Sequence, residues 1–386
     1  MEQDSVNRIA GTRFFEKIVL GCLSSSGAKS HFADFVTRID VNDQMFAHSL
    51  REHGDYGAAI SQFFNLSLQQ FEIYSQISST LLSGRDKIAF LDFASGYGRL
   101  TRFLSARKGD NELLYASDVQ DDALDFIKRN FGNVRTVTSS YSPEKFDPKR
   151  KFDFIWVISL FSHLPERLFR DWIQKLYSLL DEHGVLCFSV RGIEHLGKEA
   201  VDQGGQFRFD SVSEDSNLDS HCYGTAYAAD DFVRQVLRQT LGDDLNCVRI
   251  PRAIAAEQDL YVVASDSRTD LSVLKSIRRG VWGWVDIRRL SCNSGELYLE
   301  GWVASLDDAC KCAVDITIGG VDCVPDKLGI PRPDVSEVLS DPRLEGSGWS
   351  LTRTLPADTK SVYIVVKARA ANGCIALLYC GAVEAS

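Results

Sequence analysis

The chain has no apolar run approaching the roughly 20 residues that a membrane-spanning helix needs, so no such helix is expected. It also has no long basic run and no basic stripe interleaved with aromatics. Lysine and arginine total 43 against 53 aspartates and glutamates, a formal net charge of −10. Local basic spots such as Ile277 to Gly280 are short. A duplex nucleic-acid partner is therefore disfavoured, because neutralising phosphates takes clustered Lys and Arg. No secretory leader is expected: Glu2 and Asp4 stand where positive charge belongs, and the apolar stretch Ile18 to Leu23 is short. The sequence reads as cytoplasmic, with its 10 cysteines kept as thiols. Cys310 and Cys312 form the close pair, but no second Cys/His pair completes a zinc pattern. No metal site is expected.

What is present is a chain long enough, at 386 residues, for two or three domains. Residues 1 to 84 read as helical, with apolar residues at helical spacing from Ala58 to Ile77. From Ile88 the texture changes to short apolar strands alternating with amphipathic helices. The strands are expected at Ile88 to Phe93, Leu113 to Ser117, Val134 to Thr138, Phe154 to Ile158 and Val185 to Val190. Such runs indicate a parallel sheet covered on both faces. A helix near Asp230 to Leu241 and two β-like runs, Asn246 to Ile254 and Asp259 to Ser265, complete this part, the runs pairing antiparallel at its edge. A connecting helix is expected over Leu271 to Arg279. Beyond it lie alternating strands, and five of the 9 prolines fall between Pro325 and Pro356, the pattern of a β-sandwich. The expected division is a helical lid over 1–84, an α/β domain over 85–267, a linker helix over 268–280 and an all-β sandwich over 281–386.

The stretch Lys87 to Leu104 carries the chemistry. A buried strand ends at Asp92, a turn contains Gly96 and Gly98, and a helix is expected from about Arg99. Glycines there let backbone approach a ligand where a Cβ would collide, and a helix start offers unpaired amides. At the end of the next strand, 20 residues beyond Gly98, Asp118 can accept both ribose hydroxyls of a nucleoside. The third glycine of a dinucleotide fingerprint would fall at Thr101, and its absence argues against NAD.

The segments LDFASGYGRLTRFL, SDV and FDFIWVISLFSHLPERLFRDWIQKLYSLLDEHGVLCFSV together resemble the class I S-adenosylmethionine-dependent methyltransferases. They are especially similar to bacterial methyltransferases of polysaccharide and secondary-metabolite pathways. The resemblance spans about residues 40 to 265 and implies a Rossmann-like seven-stranded sheet with S-adenosylmethionine as cofactor. It places Asp92 and the turn from Gly96 to Gly98 along the methionine moiety, Asp118 at the ribose, and Ser139 and Ser140 near adenine, with Ala94, Arg99, Val119 and Ser159 as further cofactor-binding candidates. Ser159 opens the Ser-x-x-Ser-His-Leu segment that follows the fourth strand in such enzymes. Two departures stand out. Ala94 replaces the first glycine of the turn, tolerable if its φ is negative, and a Pro-Gly-Gly turn is reduced to Glu182-His183-Gly184.

Methyl transfer requires an acceptor held about 3 to 3.5 Å from the methyl and relieved of its proton. His163, just after the fourth strand, is the candidate base; its alternative reading is a capping or cofactor-loop histidine. The long segment from Gly204 to Val233 reads as a specificity insertion, with Glu214, Asp219, His221 and Tyr223 able to face a hydroxylated acceptor or, alternatively, to serve turns and surface. Met45, Tyr56 and Phe64 are expected in a lid that excludes water. Trp282, Trp284, Trp302 and Trp349 suit sugar rings or a sandwich core. The resulting expectation is O-methylation of a sugar or glycan-linked acceptor. The rivals are a small-molecule O- or N-methyltransferase and a degenerate scaffold. The oligomeric state stays open.

Overall fold

The structure is a computed structural model and describes residues 2–23, 31–85, 87–108, 112–196, 205–212, 219–308 and 311–386. The chain divides into two compact units. One comprises His31–Phe35 and Tyr74–Ile277; the other comprises Met1–Ser30, Val36–Ile73 and Arg278–Ser386.

The first unit is built on a seven-stranded sheet. Strands β1 (Ile88–Phe93), β2 (Glu112–Asp118), β3 (Val134–Thr138), β4 (Phe152–Val157) and β5 (Leu180–Arg191) run parallel. β6 (Phe207–Asp210) and β7 (Thr225–Ala228) pair as a separate two-stranded sheet, bridged to the end of β5 at Gly192 and Ala228, and β8 (Asn246–Ile254) and β9 (Gln258–Ala264) close the large sheet's edge. The order is β8-β9-β5-β4-β1-β2-β3, with β9 antiparallel to both its neighbours. The chain winds outward from β1 in one direction and from β4 in the other. That reversal leaves a crevice at the carboxyl ends of β1 and β4, the place where open α/β sheets bind ligands.

Burial explains the strands. Every residue of β1 after Ile88 is buried, and β4 is buried apart from Asp153. On one face Leu91, Ile155, Phe188 and Tyr261 join Trp172 and Phe232 from the helices Glu166–Ser178 and Asp230–Leu241 in a single core. On strands of the opposite face, Tyr74 packs edge-on against Phe90 and Phe154 at 5.1 and 5.0 Å, and donates its hydroxyl to Glu112. The helix Asp121–Asn130 carries Asp121 and Asp122 in its first turn and Lys128 and Arg129 in its last, favourable to its dipole. Its end passes through Phe131 at φ −124° and Gly132 is not left-handed, contrary to the glycine cap the sequence suggests.

The second unit is a sandwich of two four-stranded sheets. Strands β10 (Val281–Leu290), β11 (Glu296–Ser305), β12 (Ala313–Ile318), β13 (Val321–Cys323), β14 (Lys327–Ile330), β15 (Gly348–Thr354), β16 (Ser361–Arg369) and β17 (Ile375–Glu384) give the orders β10-β11-β15-β14 and β13-β12-β16-β17. Leu297, Leu299, Trp349 and Leu351 share one core with Ile316, Ile364 and Val366. Trp282, Trp302 and Trp349 are buried, which makes them packing residues, not sugar platforms; Trp284 is half-buried, its ring 5.3 Å from His53. The expected helix over Leu271 to Arg279 is one 3-10 turn, Ser272–Ser276, and β10 follows it.

The amino-terminal segments Met1–Ser30 and Val36–Ile73 form one compact unit with this sandwich. Phe64 packs on Phe15 at 5.1 Å and both are fully buried. Gly57 lies so close to β17 that a Cβ there would sit 3.0 Å from the Cα of Gly381. Met45 and Tyr56, also expected to close a pocket, fall within the same unit.

Candidate cofactor and acceptor site

β1 delivers Asp92 to the carboxyl edge and the backbone then turns sharply. Ala94, Gly96 and Gly98 all have positive φ, at 55°, 50° and 75°. The expectation of a negative φ at Ala94 is thus corrected: an L-residue occupies the left-handed region that glycine adopts without cost. Gly98 is needed twice, since a Cβ would lie 2.9 Å from the ring of Phe131 as well as being strained. Above Gly96 there is open space, with nothing within 4 Å of a Cβ. The helix after the turn starts at Thr101, not Arg99, and runs only to Ala106.

Thr101, noted in the sequence only as a missing glycine, donates its hydroxyl to Asp92 at 2.6 Å. Arg102, not singled out beforehand, is fully buried and donates through Nε to the carbonyl of Gly98 at 3.3 Å. Tyr97 donates to Asp122 at 2.6 Å.

Asp118 closes the turn from β2. Its Oδ2 accepts from the amide of Gly96 at 2.8 Å and its Oδ1 from Gln120 at 3.0 Å. Its carbonyl accepts from the amide of Ser139 at 2.8 Å, which ties the end of β3 to the same point. Ser140 serves its own turn, accepting from the amide of Ser142 at 3.2 Å. Burial pushes the Asp92 carboxyl up to about 7, against the lowering by Thr101 and the charge of Arg99. Burial also raises Asp118, opposed by amides of Gln120, Gly96 and Val119. Two buried carboxyls beside an open glycine turn fit a hydroxylated, cationic ligand. The hydroxyls find acceptors, and positive charge offsets the desolvation that raises both groups.

Ser159, a cofactor-binding candidate, follows β4 at φ 63°. Its amide donates to Oγ of Ser189 at 2.8 Å, Ser189 donates to Gln258 at 2.6 Å, and Gln258 Nε2 donates back to Ser159 Oγ at 3.1 Å. No local motif marks Gln258; β9 brings it from 99 positions away. Of the described non-glycine residues with left-handed φ, Ala94 and Ser159 lie after β1 and β4, while Ala255 and Ala256 lie in the β8–β9 hairpin turn. Backbone strain of the kind at Ala94 and Ser159 concentrates where ligands are held.

His163 is buried to 6% exposure and its Nδ1 lies 2.7 Å from the carbonyl of Gly224. Its ring stacks on Tyr223 at 4.6 Å and 11°. Of the residues expected around it, Tyr223 is brought to the histidine. Asp219 is exposed and its carboxylate accepts from the amide of His221 at 3.0 Å, a turn contact. Glu214 lies outside the described residues. Among the described residues no group of His, Cys, Asp and Glu forms a metal cluster.

Residues 90–184 match the family model described as a methyltransferase domain. Together with the seven-stranded order and the glycine turn, this match supports a methyltransferase domain of Rossmann-like fold with S-adenosylmethionine as its cofactor. Further along the chain lies the β-sandwich. Several solved structures are similar over part of the chain. The glycopeptide N-methyltransferase MtfA with S-adenosyl-L-homocysteine is 18% identical, covering 50% of this chain and 88% of its own, with a TM-score of 0.35. An S-adenosylmethionine-dependent methyltransferase from Clostridium acetobutylicum ATCC 824 is 18% identical over 51% of this chain and 90% of its own, TM-score 0.36. The plantazolicin methyltransferase BamL is 12% identical over 65% of this chain and 99% of its own, TM-score 0.39. At such TM-scores these likenesses decide nothing about the acceptor. No curated protein matches the chain significantly.

Proposed function

We propose that this enzyme methylates a hydroxyl oxygen of a sugar or glycan-linked acceptor in the cytoplasm, with His163 as general base. S-adenosylmethionine, when bound, supplies an electrophilic methyl on a cationic sulfur. Asp118 and the Gly96 turn hold its ribose, and Asp92 faces its charged end. His163 takes the acceptor's hydroxyl proton, and the β6–β7 hairpin, with Tyr223 on its approach, shapes the acceptor side. The observation that carries this reading is the His163 ring. It is held after β4 at the carboxyl edge and stacked on a half-buried tyrosine of the insertion. An aromatic face beside a base suits a sugar ring.

The test is incubation with radiolabelled S-adenosylmethionine and a lysate, followed by fractionation. Label in sugar or glycan fractions is expected. Label confined to small non-sugar molecules moves the assignment to the secondary-metabolite rival, and no turnover on any fraction moves it to a scaffold. His163→Ala should lower turnover by about 10² to 10⁴ with cofactor affinity kept within about twofold. Near-normal turnover at saturation removes the base.

A further inference from the structure

We infer that Gly224 is a positioning residue, whose carbonyl fixes the tautomer of His163 so that the acceptor-side hairpin and the base are assembled as one unit. This rests on the base role proposed above for His163. The two residues are joined both ways. The amide of Gly224 donates to the carbonyl of His163 at 2.8 Å, and the imidazole Nδ1 meets the carbonyl of Gly224 at 2.7 Å. Two residues on, the amide of Ala226 donates to the carbonyl of Ser162 at 2.7 Å, so the contact extends along the start of β7. Tyr223, on the other side of Gly224, covers the imidazole face.

The chemistry of that contact has one sense. A backbone carbonyl only accepts, so Nδ1 carries the hydrogen, and in the neutral ring the lone pair is on Nε2. A base must present a lone pair, and this partner selects which nitrogen does so. A carbonyl also does not titrate, so the orientation persists across the working pH range.

Position 224 has to be glycine for reasons of space. A Cβ there would collide with the carbonyl oxygen of Asp210 and lie 2.8 Å from the ring of Phe209, across the β6–β7 hairpin. Any side chain forces the hairpin open and withdraws the carbonyl that orients His163. The φ of Gly224 is not left-handed, so conformation does not select glycine here.

The experiment uses the full chain labelled with ¹⁵N-histidine. There are 7 histidines, and His163 is assigned by the signal that His163→Ala removes. Two-bond ¹H–¹⁵N correlation then reads the tautomer directly. The wild type is expected to show Nδ1–H. In Gly224→Ala the signal should shift toward the Nε2–H form that free imidazole side chains favour. Methyl incorporation into the labelled lysate fraction should fall about tenfold to a hundredfold, within the range of a displaced base, while S-adenosylmethionine affinity stays within about twofold. An Nε2–H wild-type ring overturns the inference whatever becomes of the variant, even one that fails to fold. So does a Gly224→Ala protein with unchanged tautomer and turnover. If His163→Ala itself keeps full turnover, the base role has failed instead, and the two failures are distinguishable.

Discussion

The amide of Gly96 donates to Oδ2 of Asp118 at 2.8 Å, so the acid at the end of β2 holds the glycine turn as well as offering acceptors to a ligand. A carboxylate has about four lone-pair sites. Gly96 takes one on Oδ2, Gln120 one on Oδ1, and the amide of Val119 a third, which leaves about one for a ligand hydroxyl. With Asp118 at the ribose as proposed, turn and binding residue are one structure, and damage to either should appear in both stability and affinity.

Asp118→Ala tests this directly. A hydrogen bond to a charged group contributes about 1.5 to 3 kcal/mol, so the dissociation constant for S-adenosylmethionine should rise at least about tenfold. The melting temperature of the ligand-free protein should also fall, because the Gly96 amide loses its partner. Calorimetry that finds equal affinity for wild type and variant removes Asp118 from the ribose.

Ala94→Gly should stabilise the protein. An L-residue in the left-handed region costs about 1 to 2 kcal/mol, and glycine gives back about 0.5 to 1 through backbone entropy. The balance is a gain of roughly 0.5 to 1 kcal/mol, or about 1 to 4 °C in melting temperature for a domain of this size. Ala94→Val should go the other way, since a β-branched residue tolerates positive φ least. A variant order in thermal melts other than Gly above Ala above Val counts against the strain.

The limits of the sequence have physical reasons. β1 and β3 fall on the expected residues, because buried apolar runs end where turn residues begin. The Gly96 turn and Asp118 were legible because spacing along a strand-turn-helix unit is a local property. The sign of φ at Ala94 was not, since a residue's identity does not disclose the backbone it is held in. Gln258 and Gly224 reach the site through contacts 99 and 61 positions long, which no local motif encodes. That the amino-terminal helices share a unit with the sandwich was not legible for a related reason: amphipathic spacing shows that a helix has a buried face, not which core receives it.

The make-up of that unit carries its own prediction. Phe15, Ala58 and Phe64 are buried in the unit that ends with the sandwich. Phe14 also meets Tyr363 at 5.7 Å, and Gln69 donates to the carbonyl of Arg279 at 3.0 Å. A fragment ending at residue 277 should bind a hydrophobic dye and melt with less cooperativity than the full chain. A monomeric fragment with a full-length melting profile shows that these helices do not need the strands after residue 278.

Asp92 predicts a pH dependence of the ligand-free protein. Its carboxyl is raised from the ordinary 3.8 to about 7, chiefly by burial. Between those values the folded state binds a proton that the unfolded state has already released. The unfolded chain binds fewer protons there, so stability falls as pH rises through the window and levels off above about 7. At ~1.4 kcal/mol per pKa unit the loss is on the order of a few kcal/mol. Asp118 adds in the same direction, since burial raises it too. Asp92→Asn keeps an oxygen for the Thr101 hydroxyl and removes the ionisation. Its melting temperature relative to wild type should therefore climb from pH 5 to about 7 and stay level to pH 8. A difference that is flat from pH 4 to 8 means that Asp92 does not titrate in this range. A difference that shrinks with rising pH reverses the sign and places a stabilising cationic partner beside the carboxylate.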